Sequence, residues 1–192
     1  MYEKYIYIIP YIFHLIYVFY NIKLAKINNT KMKKPLKDII MNNSYDLTHM
    51  EFIINPLFLI FVLPYLNSNY IYLVDYIKLL SIIVGLRIIT TTVTEIPSSN
   101  VRCINKDNDI NQYIFGHCFD KIFSGHTAAS LLLVLIAFDK NLISMNKYIF
   151  LQILQVIYGY LLIATHGHYS VDVILSYVIV IPIFYLLKDK LY

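Results

Sequence analysis

Long apolar runs joined by polar links make up most of the chain after residue 52. A transmembrane helix needs about 20 largely apolar residues, within a range of about 17–25. The sequence therefore predicts an all-α, polytopic membrane protein with about six transmembrane helices, in a single domain over residues 1–192. The six predicted segments are Tyr5–Ile22, Phe52–Leu66, Ile71 to about Val93, Ala128–Phe138 with a start near Gly125, Tyr148–Thr165 and Val171–Leu187.

Two of these segments, Phe52–Leu66 and Ala128–Phe138, are short enough to be buried helices of a soluble protein. The density of apolar runs favours the membrane interpretation, because in lipid each helix must satisfy its own backbone groups. The first segment is followed by no small-residue cleavage site, so we interpret it as a retained anchor.

Composition agrees with this interpretation. Hydrophobic residues make up 58% of the chain and charged residues 15%, and the mean hydropathy is +0.59. The net charge of +4 does not indicate a nucleic-acid partner, because half of the basic residues flank apolar segments. Cys103 and Cys118 share one polar loop without a CxxC pair, which argues against zinc. The sequence leaves two alternatives for Cys103 and Cys118: they form a disulfide, or they are two separate thiols.

Two polar stretches stand at the ends of apolar segments. One is "CFDKIFSGHT" at 118–127, and the other is "HGHYSVDV" at 166–173. With six spans, the links 23–50, 97–124 and 166–170 all fall on one face of the membrane. The topology therefore predicts that both stretches meet on the same side.

The pair His168 and Asp172 is the first candidate for catalysis. Residues four apart lie on the same face of a helix, within contact range. A carboxylate beside an imidazole fixes its tautomer and stabilises its cation, which leaves the other ring nitrogen to act as nucleophile or base. The alternative is a helix start that Ser170 or Asp172 caps, with His168 at an interface.

Ser124, Gly125 and His126 open the fourth apolar segment. Ser124 can cap a helix whose first amides point at an anion, and Gly125 lets a phosphate approach the backbone. The helix dipole favours a neutral His126 that exchanges protons. The alternative is an ordinary cap followed by a surface histidine.

Arg87 lies inside the third apolar run, where an arginine needs a partner or a polar cavity. Its planar guanidinium suits phosphate. The alternative is a structural contact from Arg87 to Glu95 or Asp75. Neighbouring threonines such as Thr90 can bind backbone carbonyls or line the cavity.

Together these motifs resemble the sphingomyelin synthase family, within the type 2 phosphatidic acid phosphatase superfamily. The family pattern Cys-Gly-Asp-x-x-x-Ser-Gly-His-Thr corresponds to Cys118–Thr127, and His-Tyr-Ser/Thr-x-Asp-Val corresponds to His168–Val173. The family's arginine segment corresponds to Arg87–Pro97, and its Pro-Leu-x-Asp signature to Pro35–Asp38. Order and spacing agree over residues 35–180, which we take as the catalytic region.

The chain also departs from the family pattern. Phe119 replaces the glycine of the first motif. The arginine that precedes the last histidine in the phosphatase signature is absent from residues 164–172, which favours the synthase branch over the hydrolase branch.

The resemblance implies a lipid phosphotransferase that needs no metal or other cofactor. His168, oriented by Asp172, would attack the phosphate of phosphatidylcholine or a similar lipid, and His126 would protonate the departing diacylglycerol. Ceramide would then accept the head group. The residues implied in substrate binding are Arg87, Asp120, Ser124, Gly125 and Tyr169.

Two other functions stay open. Water in place of ceramide would make the protein a lipid phosphate phosphatase or a phospholipase C-type hydrolase. A catalytically silent lipid-binding protein predicts broken motifs, and these motifs are intact, so we place it third.

Orientation rests on two conflicting signals. The predicted active face carries more lysine and arginine than the opposite face, and this excess favours the cytosol. The resemblance implies a lumenal or extracytoplasmic active face in an endomembrane or the plasma membrane, and this is the orientation we expect.

Overall fold

The computed structural model describes residues 36–66, 68, 71–94, 96–99 and 122–191, together with Ile12 and Ile16. Its regular elements in these ranges are all helical, which confirms the predicted fold class. The predicted segment Tyr5–Ile22 and both cysteines lie outside the described residues, apart from Ile12 and Ile16.

Six helical elements follow one another along the described chain. Their bounds lie within a few residues of the five predicted segments that fall in the described ranges, and a short extra helix precedes them. They are α1 (Ile39–Asn43), α2 (Thr48–Tyr65), α3 (Ile71–Val93), α4 (Gly125–Asp139), α5 (Met145–Ala164) and α6 (Ser170–Leu191).

Helix α2 is mixed in geometry. A 3₁₀ turn and one α-helical turn lead into a 3₁₀ helix over Asn55–Tyr65. Pro56 and Pro64 lie in this last part and lack the N–H that an α-helix would use. Side chains fix the segment in place: the Tyr65 hydroxyl donates to the carbonyl of Leu133 at 2.6 Å, and the Tyr158 hydroxyl donates to that of Asn55 at 3.1 Å.

Helix α4 lies at the centre of the bundle and contacts α2, α3, α5 and α6. Every residue from Ser130 to Ala137 is buried. A helix that is apolar on all sides is typical of a core position, and this one is surrounded by longer helices. Its 15 residues extend about 22 Å, less than the hydrocarbon core of a bilayer at about 30 Å.

Within the described residues, three helices are long and apolar enough to cross a membrane: Thr48–Tyr65, Met145–Ala164 and Ser170–Lys190. Helix α3 is also long, at 23 residues, and carries three charged side chains. The outer side of α5 exposes large apolar residues that lipid can cover. These are Ile149, Phe150, Ile153, Val156 and Ile157. These helices indicate a membrane protein. The number of six membrane passes remains a prediction.

Helices α5 and α6 approach closely at Gly159. A Cβ atom there would lie 2.9 Å from Cγ1 of Val173, whereas a Cβ at Gly85 in α3 would meet no atom within 4 Å. Val173 is β-branched and rotates little about χ1 in a helix. The approach therefore depends on the missing side chain of Gly159.

We expect Gly159→Ala to lower the thermal unfolding temperature of the detergent-solubilised protein relative to Gly85→Ala. Both substitutions gain helix propensity, by about 1 kcal/mol, but only the first forces α5 away from α6, an overpacking that costs about 1–3 kcal/mol. Equal melting temperatures for the two variants would contradict the close contact.

Candidate active site

The starts of α4 and α6 lie side by side. The backbone N–H of Ser124 donates to the carbonyl of Asp172 at 3.0 Å. The Ser176 hydroxyl lies 3.0 Å from the carbonyl oxygen of Ser124 and 2.9 Å from that of Asp172. All three residues are fully buried. The two polar stretches therefore meet in space, as the topology predicts.

His126 stands in the first turn of α4 and is partly exposed. Its ring centroid lies 6.4 Å from that of His168 and 6.3 Å from that of Phe58, in edge-on arrangements. Ser124 caps this helix, because its hydroxyl accepts from the N–H of Thr127 at 3.3 Å. The predicted cap is confirmed, and the ring of His126 lies beside a second imidazole.

His168 and Asp172 are both buried, with 7% and 0% of their surfaces exposed. Nδ1 of His168 lies 3.6 Å from Oδ2 of Asp172. The same oxygen accepts a 3.0 Å hydrogen bond from the N–H of Tyr169, which orients the carboxylate across the first turn of α6. Because Nδ1 faces the carboxylate, Nε2 lies on the opposite side of the ring. Asp172 thus bonds the N–H before its helix and places its carboxylate beside Nδ1 of His168.

Arg87 reaches the start of α4 from α3. Its Nε donates to the carbonyl of Phe123 at 3.1 Å. A Cβ atom on Gly125 would lie 2.8 Å from Nη1 and 3.0 Å from Cζ of Arg87. The guanidinium thus packs on the backbone of Gly125, at the end of the helix where the first-turn amides point outward. These groups together form a positive corner suited to an anion.

Of the two alternative partners for Arg87, Asp75 is paired with another residue, whereas a contact with Glu95 stays an untested alternative. Asp75 lies 3.7 Å from Lys78 on its own helix, and Glu95 lies outside the described residues. The Thr90 hydroxyl donates to the carbonyl of Arg87 at 3.0 Å, in agreement with one of the two predicted roles for the threonines.

The turn before α4 is strained. Phe123 is fully buried and has a φ of +27°, a conformation that is uncommon for any residue except glycine. Backbone strain of this kind persists only where the surroundings fix it, and it is frequent at functional sites. Here the strained turn directs the carbonyl of Phe123 toward Arg87.

A buried glutamine supports the first turn of α4. Nε2 of Gln155, in α5, donates to the carbonyl of Thr127 at 3.1 Å and to the hydroxyl of Ser130 at 2.9 Å. The Ser130 hydroxyl lies 2.7 Å from the carbonyl of His126. Gln155 therefore joins α5 to the turn that carries His126.

Tyr169 is 1% exposed, and its hydroxyl lies between two loops. It accepts from the N–H of Leu36 and donates to the carbonyl of Pro97, each at 3.0 Å. Burial raises the pKa of this hydroxyl, the bond from Leu36 lowers it, and the nearby carboxylates of Asp172 and Asp38 add to the net increase. Substrate binding by Tyr169 stays a prediction, beside this clear structural role.

The structure thus brings together His126, His168, Asp172, Arg87 and the start of α4 at Ser124 and Gly125. Asp120 lies outside the described residues, so its predicted role in binding stays a prediction. The catalytic and binding roles of the other residues are likewise predictions, now with a shared location.

Three contacts around the site were not predicted from the sequence. These are the contact of Phe58 with His126, the bonds from Gln155 to the first turn of α4, and the bonds from Ser170 to Asp38. A polar residue such as Gln155 within an apolar run is a signal that could have been read. The signature at Pro35–Asp38 does not predict that Asp38 caps α1 through the N–H groups of Ile40 and Met41. Phe58 gave no signal, since it resembles every other apolar residue of α2.

Comparison with known families supports the same chemistry. Residues 117–189 match the family model described as PAP2 superfamily C-terminal. The match includes both histidine motifs and α4, α5 and most of α6. No curated protein matches the chain. The family match supports the type 2 phosphatidic acid phosphatase superfamily, whose chemistry is of the lipid phosphatase and phosphotransferase type.

We expect Gly125→Ala to lower turnover of a lipid phosphate by about 10²–10³-fold, the usual cost of losing one group that stabilises a developing negative charge. The new methyl group must displace the guanidinium of Arg87. Turnover is measured in membranes against Gly85→Ala, whose methyl group meets no neighbour. Equal turnover in the two variants would show that the contact between Arg87 and Gly125 does not matter for the reaction.

Proposed function

We propose that the protein transfers a phospho-head group from a glycerophospholipid to ceramide, with phosphocholine as the expected group, through a phosphohistidine at His168. The observation that carries this proposal is the pairing of two imidazoles from separate motifs, 6.4 Å apart, with a buried carboxylate behind one of them. Two histidines at this spacing can both reach one phosphate, since proton transfer needs contacts of about 2.6–3.2 Å.

In the first half-reaction, Nε2 of His168 attacks phosphorus. The N–P bond forms as the bond from phosphorus to the diacylglycerol oxygen breaks. His126 gives its proton to that oxygen, so diacylglycerol leaves as a neutral alcohol. Asp172 holds Nδ1 and stabilises the positive charge that develops on the ring.

In the second half-reaction, His126 accepts the proton of the primary hydroxyl of ceramide. The hydroxyl oxygen attacks phosphorus, and the N–P bond to His168 breaks. Both histidines return to their starting protonation states. One acid–base residue thus serves both steps in opposite roles.

Arg87 and the first-turn amides of α4 would stabilise the phosphoryl oxygens. Negative charge accumulates on these oxygens as the fifth bond to phosphorus forms. Donors that are already fixed in place stabilise that charge without further reorganisation. The fixation is visible in the bond from Arg87 to Phe123 and in the packing on Gly125.

A second candidate is hydrolysis on the same scaffold. Water would replace ceramide in the second half-reaction and release the head group or phosphate. The observation that favours it is the family match, since the superfamily is named for phosphatases. A silent lipid-binding protein ranks third, because the histidines and Asp172 are intact and lie together.

The test is a transfer assay in membranes with labelled phosphatidylcholine and fluorescent ceramide, on wild type and His168→Ala. We expect a labelled phosphosphingolipid from wild type and a loss of at least about 10²–10⁴-fold in the variant, which removes the nucleophile. His49→Ala is the matched control, since His49 is an exposed histidine at the start of α2.

The products separate the three candidates. Labelled phosphocholine or phosphate that depends on His168, with no sphingolipid product, would contradict transfer and establish hydrolysis. If no head-group donor gives a product, the protein is a lipid binder. An active His168→Ala variant would remove His168 from the mechanism altogether.

A further inference from the structure

One carboxylate joins the starts of two helices. Oδ1 of Asp38 accepts from the backbone N–H groups of Ile40 and Met41, each at 3.0 Å, and so caps α1. Oδ2 accepts from the backbone N–H of Ser170 at 2.7 Å and from its hydroxyl at 2.8 Å. Asp38 is 8% exposed. It therefore connects the loop before α2 to the first residue of α6, 132 positions away in sequence.

Neighbouring bonds attach the same loop to the same turn. The N–H of Leu36 donates to the Tyr169 hydroxyl at 3.0 Å, and the N–H of Leu47 donates to the carbonyl of Ala164 at 2.9 Å. The segment from Ala164 to Ser170, which carries His168, is thus hydrogen-bonded to the loop before α2 at both of its ends. Asp38 accepts two further bonds from this segment, both from Ser170, and it accepts them with a charged carboxylate.

We propose that Asp38 is a positioning residue for head-group transfer: by binding Ser170 it fixes the turn in which His168 and Asp172 face each other. The inference rests on the function proposed above and extends it to a residue outside the reacting centre. Asp38 is distant in sequence from both histidine motifs, and the fold brings it to Ser170 of the second motif.

The negative charge of Asp38 matters for this role. Burial raises the pKa of its carboxyl, but the bonds from Met41, Ser170 and Ile40 outweigh burial and leave the pKa below its ordinary value. An ionised carboxylate accepts at both oxygens, whereas an asparagine amide accepts at one. Asp38→Asn therefore keeps the cap on α1 or the bond to Ser170, but not both.

Loss of the bond to Ser170 would loosen the turn without removing any group that contacts substrate. The separation of Nδ1 of His168 from Oδ2 of Asp172 is 3.6 Å, and Asp172 is oriented by the N–H of Tyr169, the residue before Ser170. A displacement of about 1 Å at a reacting group can reduce rate about 100-fold. The effect should appear in kcat, while KM stays near its wild-type value.

The test compares four variants of the full chain in nanodiscs. Ser170→Pro removes both donors to Asp38, and proline is well tolerated at the first position of a helix. The others are Asp38→Asn, the double variant and Asp46→Asn as the matched control. Asp46 lies in the same loop and accepts from the N–H and the hydroxyl of Thr48.

We expect each single variant at Asp38 or Ser170 to lose about 10- to 100-fold in kcat, and the double variant to lose no more than the worse single variant, since both remove one interaction. Hydrogen exchange should also become faster in peptides covering residues 166–173, and the Asp46→Asn control should match wild type in both measurements.

Three results would overturn the proposal: wild-type kcat in Ser170→Pro, which removes both donors to Asp38, a double variant in which the two losses multiply, or unchanged exchange at 166–173 in Ser170→Pro. Exchange also separates this inference from the proposed function. If wild type processes no lipid, the proposed function fails, and faster exchange in Asp38→Asn would still establish that Asp38 anchors the turn.

Discussion

The hydrogen bonds between the starts of α4 and α6 are the interaction on which the site depends. The N–H of Ser124 binds the carbonyl of Asp172, and Ser176 lies within bonding distance of both carbonyls. One histidine lies in the first turn of α4 and the other lies just before α6, so this junction brings His126 and His168 to a shared space. Arg87 and Gln155 contact the start of α4, and Asp38 contacts the start of α6.

Polar residues at the ends of apolar helices fit the physics of a membrane protein. Ionisable groups inside a bilayer are costly, whereas the ends of helices leave backbone groups that need polar partners. Ser124, Asp38 and Asp172 satisfy such groups, and each stands beside a residue with candidate chemistry. The capping of helices and the construction of the site therefore use the same side chains.

The sequence was sufficient for the helices because their apolar runs are long and their ends are marked by polar residues. Helix α3 has the predicted bounds, and α2 starts four residues earlier than predicted, at Thr48, whose N–H donates to the carboxylate of Asp46. The meeting of the two motifs was predictable from counting spans. The bond from Asp38 to Ser170 was not, because periodicity says nothing about which loop folds over which turn. The 3₁₀ geometry of Asn55–Tyr65 also escaped, since prolines mark a departure from α-helix without specifying its form.

The most direct test of the account is to identify the residue that carries the head group. Wild-type protein would be incubated with phosphatidylcholine labelled in its phosphate, without acceptor, and denatured at alkaline pH, where phosphohistidine survives. The account predicts label on the peptide that contains His168, discharged by added ceramide and absent from His168→Ala. Label on the peptide that contains His126, or turnover without any labelled peptide, would contradict it.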